Sequence, residues 1–166
     1  MDNEILFKEI DLIQACIKRM ASNSFLIKGW ALSIFAGVTA ITKGENFNDG
    51  WLLIFTTIVP FLCFWYLDAY FLQTEREFRR MYNERLEKRK KEDYSNLYEL
   101  NPNIYEVESI WRVMLSRTLM FFYYIPLVGI ILFWYIKTDN YICFFAVLGL
   151  SVGLKLFFWV NIPASK

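Results

Sequence analysis

The chain has 166 residues, of which 56% are apolar and 19% aromatic, and its mean hydropathy is positive although 21% of residues are charged. Soluble proteins carry about 45–50% apolar residues, so this chain must be divided into long apolar blocks and charged blocks. Intrinsic disorder is excluded by the hydrophobicity, and three Cys without a close motif exclude a disulfide scaffold.

Eighteen Lys and Arg against seventeen Asp and Glu leave a net charge of +1, which gives no reason to expect nucleic-acid binding. There is no histidine. That removes the side chain most used for acid–base catalysis near neutral pH, the His-based nucleophile systems and the usual His metal ligands. Cys16, Cys63 and Cys143 fall in separate apolar stretches and read as small hydrophobes. No cofactor and no enzymatic activity are expected.

Residues 4–21 place Ile5, Leu6, Ile10, Ile13, Ile17 and Met20 at helical spacing among six charged residues, an amphipathic helix too charged for a signal peptide. Residues 24–42 hold one charge, Lys28, and at about 1.5 Å per residue roughly cover a hydrocarbon layer of about 30 Å; they are expected as span 1. Residues 43–50 form a polar turn. Residues 51–72 are expected as span 2, with Trp51 at one end, Trp65, Tyr66 and Tyr70 at the other, and a kink at Pro60. No breaker separates span 2 from residues 73–93, so the two read as one helix leaving the bilayer. Asn-Pro-Asn at 101–103 marks a connector. Residues 105–116 read as a second amphipathic helix with Val107, Ile110, Trp111 and Met114 on one side, completing a cytoplasmic helical segment over 73–116.

Residues 118–136 are uncharged and are expected as span 3; residues 141–162 are expected as span 4. The expected fold is all-α: one membrane domain over 1–166, with four transmembrane helices and amphipathic cytoplasmic helices. Ten of the eighteen cations lie between spans 2 and 3, which by the positive-inside rule puts that segment and both termini in the cytoplasm.

Three ionisable residues fall inside spans, and each needs a partner or water. Lys28 and Asp68 share a depth near the cytoplasmic side, so they pair, or both sit at the interface with Lys28 snorkelling; an ion relay is a further reading. Lys155 either snorkels or faces a polar cavity or subunit interface. Gly149 and Gly153 form a GxxxG that permits close helix approach, within one molecule or between copies. The cluster of Arg85, Lys88, Arg89, Lys90 and Lys91 is a solvated helix end or a site of attraction to anionic headgroups or an acidic partner. Glu84 with Lys88 and Glu87 with Lys91 stand at helix-supporting spacing. Glu75/Glu77 and Glu106/Glu108 point to different helix faces and make no acid–base dyad.

The stretch WYLDAYFLQTEREFRRMYNERL, residues 65–86, is similar to a signature of small bacterial membrane proteins in which a span exits through aromatics and an Asp into a charged cytoplasmic helix. The layout resembles the SLATT-like membrane effectors of antiviral defence, although four spans depart from their two-span pattern. The resemblance implies a bacterial inner-membrane effector that breaches the membrane when a cytosolic sensor protein detects infection. The expected function is a non-enzymatic effector or pore-former that homo-oligomerises in the lipid bilayer under the control of a cytosolic partner. The alternative is a non-conducting anchor or regulatory subunit that recruits a soluble enzyme. A small transporter is disfavoured, since broken polar-lined spans are not evident.

Overall fold

The computed structural model describes residues 3–42, 50–138 and 149. In chain order these form α1 (Asn3–Thr42), α2 (Gly50–Lys90), a 3-10 turn (Pro102–Ile104), α3 (Ile110–Met114) and α4 (Arg117–Thr138). Among the described residues the architecture is helical throughout, as expected for an all-α chain. Span 4 lies outside the described residues apart from Gly149, and so do Gly153 and Lys155. Among the described residues, no helix is long and apolar enough to cross a membrane.

α1 corrects the division into an amphipathic helix and a separate span: it runs unbroken for 40 residues, about 60 Å. The polar run Ala21-Ser22-Asn23-Ser24 contains neither Gly nor Pro, so nothing ends the helix there. Ile13, Ser24 and Ala31 are buried along this helix, so one inward face continues across the polar run. α2 is one helix of 41 residues, as its unbroken sequence suggests, and it continues through Pro60. It lies antiparallel to α1: Glu9 meets Arg89, the Tyr82 hydroxyl accepts from Gln14, and Lys28 meets Asp68. Polar and apolar halves of the two helices therefore lie side by side.

α2 closes on Lys88, Arg89 and Lys90, cations set against the negative end of the helix. Glu92 follows with a left-handed φ of 58°. The Asp93 N–H returns to the Lys88 carbonyl (3.0 Å) and the Glu92 N–H to the Arg89 carbonyl (3.1 Å). This is the Schellman arrangement, built on a residue other than glycine.

The chain from 91 to 109 then runs back along α2 as a strap. Arg80 donates to the Glu106 carbonyl, Gln73 donates to the Glu108 carbonyl (3.0 Å), and Arg76 holds the Glu108 carboxylate at 2.6 Å. These side chains hold the backbone extended, which is why only Ile110–Met114 of the expected helix over 105–116 forms. Its buried face is Val113 rather than Trp111, which is 67% exposed. The Trp65 indole N–H donates to the Met114 carbonyl (3.0 Å) and fixes the corner from which α4 departs, parallel to α1.

Two cores result. Ile13, Phe78 and Met81 fill the charged half, with Leu100 and Tyr105 of the strap against them. Ala31, Phe61, Ala69, Val113, Leu119, Tyr123 and Leu127 fill the apolar half.

Candidate functional site

Within the core of the apolar half lies a buried polar layer centred on Asp68, which is fully buried. A buried carboxylate is costly unless donors surround it, and the two helices packed against α2 supply them. From α1, Ser24 donates to Oδ1 (2.5 Å), and the Lys28 ammonium lies 2.7 Å from Oδ1 and 2.6 Å from Oδ2. From α4, the Tyr123 hydroxyl donates to Oδ2 (3.1 Å). Ser24 and Lys28 are four residues apart, on one helix face, and Lys28 also donates to the Ser24 hydroxyl (2.8 Å).

Aromatic rings seal this layer on the apolar side. Tyr123 stacks on Trp65 at 5.9 Å and meets Phe61 edge-on at 5.3 Å, and Lys28 stands 6.0 Å from the Phe122 ring centre. The rings cover the ion pair from above, and the Lys28 side chain keeps about a quarter of its surface accessible (26%). The arrangement suits a structural coupling that ties three helices at one depth. The Ser24 hydroxyl and the Lys28 ammonium are both committed to Asp68, and among the described residues no group of carboxylates and cysteines gathers to hold a metal.

Of the expected site residues, Lys28 and Asp68 are brought together. The basic cluster is divided. Arg85 is buried and donates to the Ser95 and Glu99 carbonyls (3.3 and 3.0 Å). The Arg89 side chain, 8% exposed, forms a two-pronged ion pair with buried Glu9. Lys88 pairs with Glu84 at 2.9 Å, which lifts its ammonium above the ordinary value; only Lys90 and Lys91 stay fully on the surface. The reading of the whole cluster as a solvated or lipid-attracting end is thereby corrected for Arg85 and Arg89, because the strap's carbonyls and Glu9 draw them inward. Gly149 is exposed, and an added Cβ there meets open space.

Three site residues are absent from the sequence-based reading. Ser24 stands at the four-residue spacing from Lys28 that joins them. Glu9 stands between Ile5 and Ile13, in line with the apolar stripe, a place where an unpaired carboxylate would be costly. Tyr123 carries no such sign, since its neighbours are aromatic on both sides.

No protein-family model, curated protein or solved structure matches the chain.

Proposed function

We propose that the chain is a non-enzymatic membrane effector of the bacterial inner membrane. Its apolar half is embedded in lipid, its charged half stands in the cytoplasm as a stalk, and copies assemble to open a path when a cytosolic partner acts on the stalk. One observation carries this reading: the apolar half is polarised inside out. Phe25, Trp30, Phe121 and Ile125 are 76%, 63%, 64% and 59% exposed, while Asp68 is fully buried between the same helices. Exposed apolar surface on this scale marks a face covered by lipid or protein. The sidedness of the bundle, and not the length of any one helix, supports the membrane location. The positive-inside rule gives the orientation, and the resemblance to SLATT-like effectors supports a role in antiviral defence.

The polar layer then sits where lipid meets cytoplasm, as the joint through which movement of the stalk reaches the embedded helices. Flux of ions or dye from liposomes holding the purified protein tests the proposal. Release that Asp68→Asn alters supports it. Recovery of the expressed protein in the soluble fraction overturns it. Phage challenge of cells carrying the wild type or Asp68→Asn tests the defence role.

A groove of about 320 Å³ on the stalk, lined by Gln14, Ile17, Arg79, Tyr82 and Asn83, favours a second reading as an anchor that recruits a soluble protein. Membrane retention without flux would select that reading.

A further inference from the structure

Cations of the stalk are mostly consumed by the fold. Six of the described cations hold a carboxylate within 4 Å, and Arg80 and Arg85 donate to strap carbonyls. Lys18, Arg19, Lys90, Lys91, Arg112 and Arg117 do neither and are exposed, and of these Arg112 and Arg117 flank the corner where α4 begins. Their position is set from beneath: buried Val113 and Leu119 and the Trp65–Met114 hydrogen bond pin this corner, so Trp111, Arg112 and Arg117 face outward.

Arg117 begins α4 six residues, about 9 Å, before Tyr123 and hence before the polar layer. Four-residue steps from Arg117 reach Phe121 and then Ile125, both largely exposed. One outward face of α4 therefore passes from a free guanidinium to bare apolar surface. Beside it, Trp111 is 67% exposed, and on α2 Tyr66 and Tyr70 are 48% and 49% exposed. Amphipathic aromatics spread over about two helical turns around unpaired arginines match the headgroup layer of a bilayer. A guanidinium fork fits the phosphate oxygens of a phosphodiester better than an ammonium does.

We infer that Trp111, Arg112 and Arg117 form an anchor that binds the phosphate headgroups of anionic phospholipids. The Trp111 ring would lie at the headgroup–acyl boundary. The inference rests on the bilayer reading above. It also moves the attraction for anionic lipid from the end of α2, where Arg85 and Arg89 are internal, to the start of α4.

The test uses the full chain, purified in mild detergent and offered vesicles of phosphatidylcholine alone or mixed equally with phosphatidylglycerol. Wild type should partition more strongly into the mixed vesicles. Arg112→Gln with Arg117→Gln should lose about thirtyfold of that preference, at about fivefold for each surface arginine. Lys90→Gln with Lys91→Gln should keep the preference, and Arg112→Lys with Arg117→Lys should keep part of it. Equal loss in the Lys90/Lys91 variant, or no loss in the Arg112/Arg117 variant, overturns the anchor. Partition of wild type into both vesicles without preference overturns the anchor and leaves the bilayer reading standing. Failure to enter either vesicle overturns both. Circular dichroism of each variant separates lost binding from lost fold.

Discussion

Glu9 and Arg89, eighty residues apart in the chain, close the far end of the α1–α2 hairpin through a two-pronged ion pair. Arg89 Nη2 lies 3.0 and 2.9 Å from the two Glu9 oxygens, and its Nε lies 3.1 Å from Oε2. The same carboxylate accepts the Tyr98 N–H at 3.2 Å, and the Tyr98 hydroxyl donates to the Ile5 carbonyl. These bonds hold Tyr98 at a φ of 61°, a left-handed conformation that a bulky side chain seldom adopts. One pair thus fastens both helices and the start of the strap.

Arg89→Met should therefore leave Glu9 buried without its main partner and cost about 3–5 kcal/mol, read by denaturant unfolding in mild detergent. Glu9→Leu combined with Arg89→Met should recover most of that loss. A single variant with wild-type stability would show that the pair does not hold the hairpin tip.

The polar layer predicts coupling between Lys28 and Asp68. Asp68→Asn leaves Lys28 without its counter-charge, and Lys28→Met leaves a fully buried carboxylate with only two hydroxyl donors. The double variant should be more stable than the sum of the single losses by about 0.5–3 kcal/mol. Strictly additive losses would show that no pair operates. Tyr123→Phe should cost a further ~1 kcal/mol by removing one hydrogen bond to Asp68.

At the C-terminus of α2, Glu92 occupies the left-handed position that glycine usually takes. Glu92→Gly should stabilise the protein by about 0.5–1 kcal/mol, because relief of the side-chain clash exceeds the added backbone freedom. Glu92→Val should destabilise it. Thermal unfolding of both variants against wild type reads the difference.

Two stalk carboxylates should respond to pH in opposite ways. Burial raises Glu77 above its ordinary 4.5, so its protonated form favours the fold. That benefit is complete below 4.5 and is lost as pH rises through the folded value. Glu77→Gln should accordingly be the more stable protein at neutral pH and match wild type in acid. Asp93 is lowered from 3.8, first by the Ser95 backbone N–H and then by its side chain. Its contribution is complete above 3.8 and is lost as pH falls through the lower folded value. Asp93→Asn should be less stable at neutral pH, with the gap closing in strong acid. Unfolding midpoints across a pH series check both signs.

The orientation proposed for the bundle predicts that reporters fused at the N-terminus and at Ser95 read as cytoplasmic. Ser95 lies at the stalk tip, where its carbonyl receives Arg85 and its N–H donates to Asp93. A periplasmic signal there would reverse the topology and the depth assigned to the polar layer.

Helical character, the continuity of α2 and the candidate pairing of Lys28 with Asp68 were legible in residue order. Local spacing and the absence of Gly or Pro act within a few residues, and a charge in an apolar run demands a partner wherever the chain goes. Continuity of α1 was equally written there, since Ser and Asn between 21 and 24 weaken a helix without ending it. Residue order did not reveal that Arg85 and Arg89 turn inward while Lys90 and Lys91 stay outside. That division depends on where Glu9 and the strap's carbonyls come to rest, across separations of up to eighty residues. Nor could it choose Tyr123 among five neighbouring aromatic and apolar residues as the one facing Asp68, because the rotation of α4 is set by its packing on Phe61 and Trp65. The strap was decided the same way: Val107, Ile110, Trp111 and Met114 have helical apolar spacing, but side chains of α2 take the Glu106 and Glu108 carbonyls first. Sequence determined which segments are helical and where charge must be compensated; tertiary packing decided which side chains compensate it, because a buried charge accepts whichever donor the fold brings within reach.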